Sequence, residues 1–276
     1  MTISILRAII LWLALLTATH ASAAEPDFIE AGDKVSAGSG TTYLDLALQF
    51  APGLASTPAD GSALVKLPHL GGADMSAAIT NPAIQFIERI DVTQDGKPAL
   101  LLLFDLGDAD DAAQSVTVLA LYDMSSNPRL LDAMDVGLDR ETSLQEPRYA
   151  ALSPDRGMVF LRSSHHNAGE EYLQTSLVGL WRGKFHAVDT IFSMSWNGGT
   201  SRTVTAFSFA AAKDAAGVDA TVDISRIHCD AGCEPDSQGT ARNERLDVRY
   251  RWDTVRGTFV RPKDAYDRIP LPDMQE

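Results

Sequence analysis

Residues 245–253 read Arg-Leu-Asp-Val-Arg-Tyr-Arg-Trp-Asp: Leu246, Val248, Tyr250 and Trp252 alternate strictly with Asp247, Arg249, Arg251 and Asp253. Successive side chains on a strand point to opposite faces, so this segment fits a strand with one face packed and the other in water. Coiled into a helix, it would scatter its apolar groups around the axis. Residues 218–225 repeat the pattern, with Val218, Ala220, Val222 and Ile224 set against Asp219, Thr221, Asp223 and Ser225. Further strand-like runs cover residues 84–92, 99–107, 115–123, 129–137, 155–164, 175–182, 184–192, 201–210 and 258–262. Ala99–Phe104 is an unbroken apolar run that suits a strand buried on both faces. Thr-Gln-Asp-Gly-Lys-Pro (93–98), Met-Ser-Ser-Asn-Pro (124–128) and Arg-Gly-Lys (182–184) are hairpin signals between these runs.

About ten strands in consecutive hairpins predict a mainly β protein. The antiparallel hairpins suit either a propeller-like or a sandwich arrangement; an α+β β-sandwich is the alternative. Two hairpins share a plan, Trp181 with Phe185 and Trp252 with Phe259, which suggests aromatic pairs fixing register. One short N-terminal helix is expected, capped by Thr41 or Thr42, with Leu44, Ala47, Leu48 and Ala51 on its packed face and Pro52 ending it. The organisation is read as a signal peptide over 1–24, a flexible leader over 25–40, a single β-rich domain over 41–262 and a polar tail over 263–276.

The signal peptide rests on Arg7, the apolar run Ala8–Ala18 and small residues at Ala21-Ser22-Ala23 or Ser22-Ala23-Ala24. The apolar run is short for a bilayer span, and no later segment reaches the roughly 20 apolar residues of a membrane helix. The expected mature chain is soluble and periplasmic or secreted, with no membrane span after signal removal. The net charge of −14 becomes −15 when Arg7 is removed. Such a balance repels phosphate backbones and anionic lipid, which excludes nucleic acid and lipid surfaces as partners and leaves an unknown protein or small-molecule ligand. Cys229 and Cys233 are the only cysteines. In an oxidising compartment the expectation is a local disulfide whose small loop contributes at most about 2 kcal/mol. A redox-active pair, or a metal site including His228, are the alternatives.

Residues 91–103, Asp-Val-Thr-Gln-Asp-Gly-Lys-Pro-Ala followed by four leucines, carry oxygen-bearing side chains and a glycine turn ahead of an apolar strand. The segment resembles the calcium loop of integrin-type FG-GAP repeats, with Asp91 and Asp95 at the first and fifth positions and Gly96 at the turn. Thr93 stands where that family has Asp or Asn, and Ala99 replaces a carboxylate. The resemblance implies a bound calcium; without it, Asp95-Gly96 is a hairpin turn that needs no metal. Asp105, Asp108, Asp110 and Asp111 form a second acidic group, expected to be a solvated loop.

Residues 163–172, Ser-Ser-His-His-Asn-Ala-Gly-Glu-Glu-Tyr, hold the densest set of titratable groups. On an extended chain His165 and His166 point to opposite faces. His165 with Glu171, or His166 with Glu170, could form an imidazole–carboxylate pair for acid–base work. The structural alternative is a turn built by Asn167 and Gly169. His69, His186 and His228 lie elsewhere, so no zinc-type cluster is evident. No Gly-x-Ser-x-Gly elbow, phosphate loop or His-Glu-x-x-His motif occurs. The run of strands, with residues 135–143 and 165–172 between them, resembles uncharacterised exported proteins of Gram-negative bacteria, which implies export and a β-rich fold but no activity. The favoured expectation is a non-enzymatic binding or structural module without a cofactor. A hydrolase-like enzyme using His165 or His166, and a calcium-stabilised β-protein, are the alternatives.

Overall fold

The computed structural model describes residues 28–55, 67–72, 79, 82–110, 114–167, 170–196, 199–214, 217–230, 232–233 and 239–269. Residues 1–24, read above as a signal peptide, and the end of the segment read as a polar tail lie outside these residues. Among them are one short helix, α1 (Tyr43–Ala47), and twelve strands: β1 (Phe86–Gln94), β2 (Lys97–Asp108), β3 (Ser115–Asp123), β4 (Arg129–Asp135), β5 (Glu141–Ser153), β6 (Arg156–Asn167), β7 (Glu170–Trp181), β8 (Lys184–Trp196), β9 (Ser201–Ala211), β10 (Gly217–His228), β11 (Thr240–Asp253) and β12 (Thr258–Val260). The fold is mainly β. Three four-stranded antiparallel meanders follow one another along the chain: β1-β2-β3-β4, β5-β6-β7-β8, and β9-β10-β11-β12.

The sheets stack face to face, and their sequence patterns say why. β2 is apolar on both sides, so sheet one needs two covers. Leu100, Leu102 and Phe104 face Tyr43, Leu46 and Phe50 of the N-terminal segment. Leu101 and Leu103 face Val159, Leu161 and Val178 of sheet two. The far side of sheet two, with Met158, Phe160 and Leu177, meets Val218, Val222, Leu246 and Val248 of sheet three. The alternating strands β10 and β11 close the stack because their outer face is polar. There Arg249 makes a two-pronged ion pair with Asp219 at 2.6 and 2.9 Å, and Thr221 donates to Asp247. Both edge strands of sheet two take part in the stack: β5 lies against β1 and β9, and β8 against β4, β9 and β12. The arrangement is therefore propeller-like in strand order and sandwich-like in its facing sheets.

Four local features differ from the sequence reading. α1 packs Tyr43, Leu46 and Ala47 inward, and Leu44 faces out. The packed face thus begins one residue earlier than the sequence pattern suggests; at the cap, Thr42 Oγ1 accepts from the Asp45 amide while the Asp45 carboxylate accepts from the Thr42 amide. β5 was not expected; Pro147 and mixed polarity break its alternation, and its ladder with β6 shifts register between Leu144 and Tyr149. The two tryptophan hairpins are not equivalent. Trp252 pairs with Phe259 at 5.1 Å, but the two-residue turn Arg182-Gly183 puts Lys184 opposite Trp181, so Phe185 enters the core between sheets one and two. Trp181 instead meets Trp252 edge-on at 5.0 Å and joins sheets two and three. Finally, packing continues past residue 262, for Tyr266 and Ile269 belong to the core of sheet three. Tyr250 Oη donates to Asp189 at 2.6 Å and lies 2.9 Å from Tyr266 Oη, and Arg261 pairs with the same aspartate.

Candidate functional site

The chain leaves sheet one for sheet two through Asp135-Val136-Gly137-Leu138-Asp139, and all five residues are buried. Val136 and Leu138 anchor the connector in the core between the sheets. Gly137 is required because any Cβ there would lie 2.0 Å from the Ser115 carbonyl oxygen. A buried connector must find partners for its backbone. The Val136 amide donates to Thr117, the Ser115 amide to the Asp139 carbonyl and the Leu70 amide to the Asp135 carbonyl, all at 2.7–2.9 Å. His69 completes the frame: its Nδ1 accepts from the Gly71 amide, so Nε2 carries the proton and donates to the Gly137 carbonyl, each at 2.9 Å. Asp135 accepts from the Gly137 amide at 3.1 Å. Burial pushes its carboxyl up to about 6, against the opposing pull of that amide and of His69.

His165 leaves β6 toward the same connector. Its Nδ1 lies 2.7 Å from Asp139 Oδ1, and Asp139 is 3% exposed. Its ring stacks on Tyr172, its ladder partner, at 4.7 Å and 2°, and Tyr172 stacks on Phe192 at 5.0 Å. The imidazole is thus held by edge and by face, with Nδ1 donating to the carboxylate. Its Nε2 forms no hydrogen bond among the described residues. Asp139, remote in sequence, fills the place that the local reading offered to Glu171. His165, His166 and Asn167 extend β6, and Glu170 and Glu171 begin β7. Glu171 stands opposite His166 in the ladder. The side chains of His166, Asn167 and Glu170, and the turn 168–169, lie outside what is described.

Beside this junction, where β1, β2, β5 and β6 approach, is a cleft of about 490 Å³ lined by Phe86, Asp105, Glu141, Thr142, Ser143, Arg162 and Ser164. Thr142 and Ser163 share a hydrogen bond at 2.8 Å, and Ser164 donates to Glu141 at 3.4 Å. Asp105 is 9% exposed. Its Oδ1 accepts from the Gly107 amide at 2.8 Å, and its other oxygen has no partner among the described residues. Burial raises its pKa, the Gly107 amide opposes the rise, and Asp108 adds to it. Arg162 forms no ion pair among the described residues. Sequence reading placed Asp105 in a solvated acidic loop, and missed Glu141 and Arg162 because β5, which brings them together, was unrecognised.

The other expected residues are placed as follows. Asp91 is held by Arg89 at 2.7 Å on the surface. Asp95, at φ 51°, and Gly96, at φ 73°, form the two-residue turn between β1 and β2, a turn that needs left-handed residues at both positions. Among the described residues, no group of three or more His, Cys, Asp or Glu side chains could hold a metal ion. Cys229 and Cys233 form a buried disulfide with Cα atoms 5.3 Å apart. No family model, no curated protein and no solved structure matches the chain.

Proposed function

We propose that the chain is an exported, non-enzymatic binding module, and that the cleft between sheets one and two takes a small zwitterionic ligand rich in ammonium groups, such as a diamino acid. The observation that carries this reading is Asp105, a residue only 9% exposed whose carboxylate lines the cleft with one oxygen unpartnered among the described residues. An ammonium group would supply the charge and the donor that this oxygen lacks. Glu141 offers a second carboxylate and Arg162 a fork for the ligand's own carboxylate. The acidic chain as a whole draws cations toward the site. The test is a thermal-shift screen of the mature protein with the common amino acids and dipeptides. Lysine is expected to raise the melting temperature, and Asp105→Asn to remove the rise. A lysine shift of equal size in Asp105→Asn, or none in the parent protein, overturns the reading.

A second reading rests on the 2.7 Å contact between His165 and Asp139. A carboxylate-oriented imidazole with an open Nε2 is the base half of a hydrolytic site. Hydrolysis of a chromogenic ester, abolished by His165→Asn with the melting temperature retained, would favour it over the first reading.

A further inference from the structure

At the opposite end of the same two sheets, the turns of β1–β2 and β7–β8 and the start of β4 surround a second pocket, of about 190 Å³. Three cations line it, Lys97, Arg129 and Arg182, against two carboxylates, Asp95 and Asp123. An excess of positive charge at one spot is notable in a chain of net charge −14. The three cations also have spare donors. Lys97 forms no ion pair among the described residues. Arg129 reaches Asp123 at only 3.9 Å, with its side chain 71% exposed. Arg182 lies 4.6 Å over the Trp181 ring, which fixes its guanidinium without using its N–H groups. Asp123 is an anion held below the usual carboxylate range by the Ser125 hydroxyl and amide and, more weakly, by the charges of Arg129 and Lys97, so it offsets part of their charge and leaves Arg182 and the remaining N–H donors of the other two facing the pocket.

The backbone explains why the cations meet. Arg182, at φ 51°, and Gly183, at φ 69°, make the tight β7–β8 turn, and the Arg182 amide is tied to the Asp155 carbonyl at 3.3 Å. The β1–β2 turn is tied down in the same way, from the Asp95 amide to the Pro154 carbonyl at 2.8 Å. Both turns are therefore pinned to the β5–β6 turn, and their basic residues are carried on a fixed frame rather than on free loops.

We infer that this pocket is a binding site for a small oxyanion, a phosphate or carboxylate group, held between Lys97, Arg129 and Arg182. Two guanidinium forks and an ammonium group match the planar or tetrahedral array of acceptor oxygens. The site is separate from the Asp105 cleft and takes ligands of the opposite sign.

Isothermal titration of the mature protein with inorganic phosphate and with acetate, at ionic strength fixed by sodium chloride, tests it and distinguishes the two sources of oxyanion. Saturable binding of one or both is expected, weakened at least about tenfold in Lys97→Gln combined with Arg182→Asn, since each substitution removes a charge-assisted contact. Asn is chosen at 182 because it tolerates the left-handed backbone. Should the double variant fail to fold, Lys97→Gln alone, at an exposed position, must still weaken binding several-fold. No saturable heat with either anion, or affinity unchanged in these variants, overturns the inference.

Discussion

Asp135 carries a pH dependence that can be worked out in sign. Its carboxyl titrates near 6 in the folded chain, against an ordinary value of 3.8. Between those values the folded state holds a proton that the unfolded chain releases. Its contribution to stability is therefore fully present below about pH 4 and is lost as pH rises through about 6, by roughly 2–3 kcal/mol. Asparagine cannot titrate, and its side-chain oxygen can still accept from Gly137. Urea unfolding at pH 4.5 and pH 7 should show Asp135→Asn gaining about 2 kcal/mol on the parent protein between the two; parallel behaviour would contradict the assignment. Asp139 accepts from the His165 ring and the Arg140 amide. Asp139→Ala should cost about 1–3 kcal/mol in chemical denaturation, the penalty for leaving a part-buried imidazole unpaired. The histidine itself was legible in the sequence, as was its need for a carboxylate. Its partner was not, because 26 residues separate the pair and only the crossover between sheets joins them.

At the scale of elements, strands whose alternation is clean were readable to the residue. Val218, Val222 and Ile224 are fully buried, and Asp223 opposite them is exposed. β5 was hidden because it is bulged and carries Pro147, so period-two reasoning had no signal there. The connector 135–139 reads in sequence as the end of a strand-like run and the stretch between strands, since nothing local reveals that it is buried between two sheets. Its geometry gives a sharp expectation. Gly137→Ala would press a methyl group into the Ser115 carbonyl at 2.0 Å, so the variant should fail to fold or lose more than about 3 kcal/mol. A melting temperature within a degree or two of the parent would show that the connector does not pack as described. The helix offers a milder case. Thr42→Ala removes one half of a reciprocal cap and should cost about 1 kcal/mol in the same assay.

The whole molecule is a stack of three meanders with different ends. α1 and its flanking segment cover the apolar outer face of sheet one, and the ion-paired outer face of sheet three needs no cover. Composition and hairpin spacing were enough to predict a mainly β fold. They could not predict the stacking order, which depends on which strands are apolar on both faces. Nor could they reveal the two opposed pockets, since each draws its residues from three or more strands or turns of two different sheets. We propose that the Asp105 cleft is where this molecule binds, and the proposal meets its sharpest test in titrating L-lysine into ¹⁵N-labelled protein spanning residues 25–276, with amide shifts followed by NMR. Shifts centred on Gly107, Thr142, Ser143 and Ser164, and absent in Asp105→Asn, are the predicted result. No saturable shifts, or shifts centred instead on the turns at Gly96 and Gly183, would contradict it.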